Sequence, residues 1–308
     1  MIPAMLVALS ACVPRYAQLG PMEPEDVWSP LPVQHTQVGD LDIAFVDSGG
    51  DGAPIVFVHG LSSHLGFWEY QLPELAKTHR VLALDLPGYG ASARPDAPYT
   101  PPWYAEVVAD WMFAVGVERA TLVGHSMGGQ VVMELALCHP ERVERLVLAA
   151  PAGIETFTPG AGRFMKDYWT EARALDAGEE QTRANFSTQV FNRMDEGAER
   201  LLQERVRVGL SARFAGTSVA VSRSIAGMID FPVGERARAI SAPTLIVFGA
   251  DDRMIPNPVF TGGTPRNIAE RAKAWIPGST LVVIDGAGHT VHHDAPRTFN
   301  AALSEFLP

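Results

Sequence analysis

The sequence predicts a doubly wound, mostly parallel α/β sheet with a helical cap inserted into it. Three observations carry this. Short runs that are apolar on both faces recur along the chain, as strands buried within a parallel sheet do. Helical patterns separate them. The alternation breaks once, between about Ala152 and Ala239, and then resumes.

The strand runs come in order. Leu41 to Val46 alternates apolar and polar residues, and Ile55–Val58 is continuously apolar and ends at His59-Gly60. Val81–Leu84 ends at Asp85, Thr121–Val123 at Gly124, and Leu146–Leu148 at Ala149-Ala150-Pro151. Leu245–Phe248 ends at Gly249 and Leu281–Ile284 at Asp285. Helical spacing occupies Phe67 to Ala76, Pro102 to Val115, Met127 to Cys138, Asn267 to Ala274 and Pro296 to Phe306. Within the break, Arg163 to Leu175 and Glu196 to Leu210 read as helices, and a stretch this long is not a plain loop. The division expected is a core of residues 35–151 and 240–308, with 152–239 as a cap.

At 308 residues the chain holds one large domain with an insertion. Its 47% hydrophobic content supplies a sizeable core, and its formal charge of −11 repels nucleic acid, which is excluded as a partner. There is no run of 18 apolar residues, so no bilayer-spanning helix is expected. The two cysteines, Cys12 and Cys138, make no disulfide framework. Cys138, in an apolar helical run, reads as a small core residue.

In a doubly wound sheet, chemistry collects where strands end. Gly124-His125-Ser126-Met127-Gly128-Gly129 follows a strand run and opens a helix. A tight turn there pushes the Ser126 hydroxyl into the cleft, beside the positive end of the helix. The competing reading, a glycine-rich phosphate loop, lacks the lysine it needs. Serine requires a base, and His289 follows the last strand run. His289, His292 and His293 have ligand-like spacing, but no cluster elsewhere completes a metal site. Neither metal nor cofactor is expected. The base requires an orienting carboxylate, and Asp251 and Asp252 after Leu245–Phe248 are both candidates.

Residues from about 35 to 308 resemble the α/β-hydrolase family, in particular its capped branch of serine esterases and C–C bond hydrolases. Gly249, Asp252 and Pro256 match that branch's Gly-x-x-Asp-x-x-x-Pro pattern, so the resemblance selects Asp252. Gly288, His289, His292, Asp294 and Pro296 run close to its terminal pattern, with Asp in place of Glu. That match accounts for His292 without a metal. The order Ser126, Asp252, His289 is the family's order.

The resemblance also implies an oxyanion hole from the backbone N–H groups of Met127 and, through the His59-Gly60-Leu61 match, Leu61. His59 and Asp85 are expected to be structural. Because the nucleophile is serine, the dehalogenase and epoxide hydrolase branches, which use aspartate, are excluded.

The expected activity is cleavage of a carboxylic ester with an apolar part. Alternatives are C–C hydrolysis of a β-diketone-like acid, perhydrolase or haloperoxidase chemistry without a cofactor, and an inactive binding protein on the same fold. The C–C branch needs a cation for the substrate's carboxylate, for which Arg163, Arg173, Arg193, Arg207 and Arg213 are available. Trp68, Phe164 and Trp169 are candidate pocket residues. The other aromatic residues of the cap are expected to pack its own core.

Leu9-Ser10-Ala11-Cys12 resembles the lipobox of bacterial lipoproteins, although no Lys or Arg precedes the apolar run. It implies lipidation at Cys12 and a membrane-anchored, periplasmic or secreted protein. The competing reading is an apolar N-terminus on a cytoplasmic enzyme. The proline-rich stretch from Val13 to Pro32 is expected to be an extended tether.

Overall fold

The structure, a computed structural model, describes residues 15–307. Cys12 and the lipobox-like segment lie outside the described residues.

Eight strands form one sheet: β1 (Val33–Val38), β2 (Leu41–Asp47), β3 (Pro54–Val58), β4 (Arg80–Leu84), β5 (Ala120–His125), β6 (Val143–Ala149), β7 (Thr244–Gly249) and β8 (Thr280–Ile284). Their spatial order is β1-β2-β4-β3-β5-β6-β7-β8. β1 pairs antiparallel with β2, and β2 with β4. All other pairs are parallel. The expected class is therefore correct, with one more strand than the apolar runs indicated. β1 escapes a hydrophobicity reading because it is an edge strand with five of its six positions not buried.

Eleven helices accompany the sheet among the described residues: α1 (Leu72–Leu75), α2 (Pro101–Ala114), α3 (Met127–Cys138), α4 (Pro159–Tyr168), α5 (Glu171–Leu175), α6 (Glu179–Asn185), α7 (Glu196–Val208), α8 (Phe214–Asp230), α9 (Pro265–Trp275), α10 (Val291–Asp294) and α11 (Pro296–Phe306). Alternation along each strand feeds two cores. Val56 and Val58 of β3 pack on the side of α2, α3 and α9. Ile55 and Phe57 pack on the other, with Trp68, Phe299 and Leu303. The strands are apolar all round because both faces are covered.

Several expected helices differ. Phe67 to Ala76 is split into a 3-10 turn, Leu65–Trp68, and the short α1, because Pro73 cannot sit inside a continuous helix. Arg163 to Leu175 is two helices, since the Thr170 hydroxyl accepts the Arg173 N–H and caps a new start. α8 was not legible because its Gly, Ser, Thr and Val content is poor in helix formers. It is held by burial of Phe214, Ala220, Val221 and Ile225. α4 to α8 all lie between β6 and β7.

Two further expectations are corrected. Cys138 is exposed, as the last residue of α3, and is not a core residue. The described part of the proline-rich stretch is not a free tether. Tyr16–Leu19 and Pro24–Asp26 form 3-10 turns docked on the insertion. The backbone N–H groups of Tyr16 and Ala17 donate to Glu179 at 2.8 and 2.9 Å, and the Tyr16 hydroxyl donates to Glu199 at 2.7 Å. Met22 N–H donates to Arg207 O, Arg207 donates to Gly20 O, and Trp28 lies against the Arg200 guanidinium. The N–H groups of Tyr16, Ala17, Met22 and Trp28 find acceptors on α6 and α7, and those of Gln18, Gly20 and Asp26 bond within the segment. If this strap is part of the folded unit, Tyr16→Ala removes a buried ring and its bond. It should then cost about 2–4 kcal/mol in urea unfolding. An unchanged midpoint would mean the strap floats.

Candidate active site

The candidate nucleophile stands where the central strand β5 turns into α3. Ser126 has φ 51° and ψ −117°, a left-handed conformation unusual for a residue with a side chain. It is held there from several sides. Its N–H donates to Ala149 O at 3.0 Å, and its carbonyl accepts from Gln130 N at 3.2 Å and Ala152 N at 3.0 Å. Close packing demands the flanking glycines. A Cβ on Gly128 would lie 2.2 Å from Val58 O, and one on Gly124 would lie 2.4 Å from Gly128 O. The loop after β3 crosses directly over the serine, since a Cβ on Gly60 would lie 3.3 Å from the Ser126 Cβ. Leu61 is the next residue. Met127, as the first residue of α3, has an N–H with no acceptor inside its own helix.

β7 and β8 bring the other two groups together. Gly249, at the end of β7, packs on the loop that carries His289, where a Cβ would lie 2.2 Å from Gly288 O. His289 Nδ1 and Asp252 Oδ2 are 2.9 Å apart, both buried. The ionised carboxylate only accepts, so Nδ1 carries the proton and Nε2 keeps its lone pair. The other Asp252 oxygen accepts from Met254 N at 2.8 Å and Ile255 N at 3.0 Å, which fixes the carboxylate. Asp251 is exposed and meets Asn192 instead. The geometry thus separates the two acids.

His292 and His293 do not gather round His289. His292 lies against Trp68 and His125, with ring centroids at 4.2 and 4.7 Å, and His293 Nε2 bonds Glu69 at 3.0 Å. Among the described residues no group of three His, Cys, Asp or Glu side chains is arranged to hold a metal.

His59 is buried beside the loop that passes over Ser126. The Leu86 N–H donates to its Nε2 at 3.0 Å, so Nδ1–H is the donor to Gly60 O at 2.7 Å. Burial brings its pKa down to about 4. Asp85 accepts from Leu65 N at 2.7 Å and Ala91 N at 2.8 Å, while burial pushes its carboxyl up to about 6. Both act as braces for the loop over Ser126. Asp294 does the same for the loop that carries His289: burial raises its pKa, and it accepts the N–H groups of Gly288 at 2.8 Å and Asn192 at 3.0 Å.

The candidate pocket residues separate. Trp68 has no exposed surface, and its ring packs on Phe57 at 5.0 Å and on His292. It does not line an open cleft, because the Leu65–Trp68 turn tucks it beneath the sheet. Phe164 and Trp169 are exposed, on α4 and at its C-terminal end. Phe164 meets Phe260 of the loop after Asp252 at 5.5 Å, and Trp169 meets Tyr168 at 5.3 Å. Phe186, Phe191 and Phe214 are buried in the insertion.

One residue was not singled out from the sequence. Arg205 of α7 has its Nε 3.3 Å from the Ser62 hydroxyl and its guanidinium 4.4 Å from the Phe214 ring centroid. It has no ion-pair partner among the described residues, and burial brings its pKa down to about 10. It borders a cavity of about 40 Å³ with Ser62, Ser63, His64 and Glu204. The Ser63 hydroxyl there is buried and unpartnered. By contrast Arg173 lies over Tyr168, Arg193 faces Asp195, Arg207 bonds Gly20 O and Arg213 pairs with Glu25. No periodicity distinguishes Arg205 from these neighbours.

The fold and site define an α/β hydrolase, and comparison with known proteins agrees. Residues 53–296 match the alpha/beta hydrolase fold family model, and the chain belongs to that family. Its relatives include the 2-hydroxymuconate semialdehyde hydrolase of Pseudomonas sp. (strain CF600), 32% identical over 85% of this chain and 88% of that one. A probable hydrolytic enzyme from Pseudomonas aeruginosa PAO1 superposes with a TM-score of 0.84 at 26% identity, covering 94% of this chain and 99% of the other. An esterase from Thermogutta terrifontis shares the fold, with a TM-score of 0.73 at 23% identity over 89% and 97% of the two chains.

The buried histidines give a pH prediction. His59 titrates near 4 and His64 near 3 in the folded state, and His125 and His292 are held well below the usual value, in each case chiefly by burial. All four are bound neutral, so the unfolded chain takes up more protons once pH falls below about 6.5. Their stability contribution is complete above that value and is lost progressively towards pH 4. Asp85 near 6 and Glu204 near 7 act in the opposite sense, costing least in acid. Burial raises Glu155 and Asp294 in the same sense, but two of the four histidines are held well below their usual value, so the melting temperature should fall between pH 7 and pH 4.5 in thermal denaturation. A rise would show that the buried carboxyls dominate.

Proposed function

We propose that this hydrolase-family chain is a serine hydrolase that cleaves a carboxylic ester through an acyl-enzyme on Ser126. The observation that carries the reading is the buried His289–Asp252 bond, on a loop tied through His125 to the left-handed turn that holds Ser126. His289 Nε2 takes the Ser126 proton as the oxygen attacks the carbonyl carbon. The N–H groups of Leu61 and Met127 stabilise the oxyanion, and losing one such donor would cost about 10²–10³ in rate. His289 then protonates the leaving alcohol. Water, deprotonated by the same nitrogen, releases the acid. Asp252 holds the tautomer and offsets the charge on the ring. The inserted helices act as a cap, with Phe164 and Trp169 as candidate contacts for an apolar part of the substrate. A fluorophosphonate should add one label at Ser126, and Ser126→Ala should abolish both label and esterase activity. An unlabelled native protein would sink the reading.

One observation favours a second reading. Arg205 is a cation without a carboxylate, bonded to Ser62 two residues beyond the glycine that packs on Ser126. It suits a substrate with an anionic group, as C–C hydrolysis of a β-diketone-like acid requires. The likeness to a 2-hydroxymuconate semialdehyde hydrolase supports the same alternative. A series of p-nitrophenyl esters set against a vinylogous diketo acid discriminates the two. Activity confined to the acid, and lost in Arg205→Met, would replace the first reading.

A lipid anchor at Cys12 is a further proposal. No helix among the described residues is long and apolar enough to cross a membrane. Tyr16 is docked on the insertion, so an anchor four residues earlier would hold that face towards the membrane. Metabolic labelling with a fatty-acid analogue should mark the wild type and spare Cys12→Ser.

A further inference from the structure

His125 precedes the candidate nucleophile, and neither the reaction above nor the family pattern gives it a task. It is buried, 5% exposed, and it meets the His289 backbone, the His292 ring and Gly60. Its Nε2 lies 3.1 Å from the backbone carbonyl of His289. A carbonyl only accepts, so Nε2 carries the proton and Nδ1 is left with a lone pair. That Nδ1 is buried without a partner among the described residues, 2.9 Å from where a Cβ on Gly60 would stand. The ring lies between those of His289 and His292, with centroids 4.9 and 4.7 Å away. Burial and the nearby His289 keep it neutral.

We propose that His125 is a positioning residue for the base: its Nε2–H grips the His289 carbonyl and sets where the imidazole stands over Ser126. The Asp252 bond fixes His289 at only one point, Nδ1, about which the ring can swing. The residues on either side of His289 are tied elsewhere. Gly288 N–H goes to Asp294, and both the N–H and the hydroxyl of Thr290 go to Val190 O on the insertion. Among the described residues, the His125 bond joins the turn carrying the serine to the base's own backbone. His125 and Ser126 are adjacent, so a displacement of one is felt by the other. Gly60 packs on the same ring, which brings the loop carrying Leu61 into the same contact. A neutral ring also suits this place, since a second cation beside His289 would oppose its protonation.

The inference rests on the serine-hydrolase reading and is tested separately from it. His125→Phe keeps a ring and removes the donor, while His125→Gln restores an amide N–H at similar reach. His125→Phe should lower kcat about tenfold, the worth of one buried hydrogen bond, with KM nearly unchanged. Gln should recover most of the loss. The downfield proton resonance of His289 Nδ1–H should shift or broaden in Phe and return in Gln. If Phe does not fold, Gln is compared with His125→Asn, whose amide is too short, and Asn should show the loss. Wild-type kcat in Phe, or Gln no better than Phe or Asn, would overturn the proposal. Loss of all activity in Ser126→Ala beside a fully active His125→Phe would refute this inference alone. Ser126→Ala that stays active refutes the underlying reading instead.

Discussion

The contact on which the rest of the site depends is the one between the end of β3 and the start of α3. Val58 and His59 carbonyls approach Gly128 so closely that no side chain fits there. That approach lets the loop after β3 lie over Ser126, and it forces β5 into α3 through a left-handed serine. Strain of about 1–3 kcal/mol at such a residue persists only when its surroundings over-determine it. Here they do, through three backbone hydrogen bonds and two glycines that tolerate no substitution.

Around that contact the protein assembles an unusual number of neutral imidazoles. His59 braces the loop over Ser126, His125 bonds the His289 carbonyl, and His292 fills the space against Trp68. Each is desolvated, and none has a carboxylate partner that would hold a charge. His289 differs in having a buried carboxylate, Asp252, at Nδ1. His293 is paired with Glu69, which also meets Arg200 of α7 and so links the base region to the insertion.

The insertion is fastened on several sides. Glu69 and Arg200 join it to the loop region after β3, Asp294 and Thr290 reach its Asn192 and Val190, and the N-terminal strap runs along α6 and α7. These ties are polar and buried or half-buried, so each partner's loss leaves a group unsatisfied. The arrangement gives the insertion a fixed seat against the loops that flank Ser126.

The sequence alone determined the sheet class and the strand ends, and it singled out Ser126, Asp252 and His289 as the candidate serine, acid and base. Strands buried on both faces must be apolar, and the turn after β5 must have its glycines. Both constraints are local and leave a pattern. It favoured Asp252 over Asp251 only by resemblance, whereas in the structure Asp252 is the one that bonds His289. Edge strand β1 and the Gly- and Ser-rich α8 were hidden, since neither has a hydrophobic period or propensity strong enough to read. The remaining features were tertiary decisions. Cys138 fell at an exposed helix end, Trp68 turned beneath the sheet, the proline-rich strap docked on the insertion, and Arg205 was buried against Ser62 and Phe214 with no carboxylate partner among the described residues. Such outcomes depend on which surfaces meet after folding, and contacts between residues more than a hundred positions apart leave no spacing in the chain to be read.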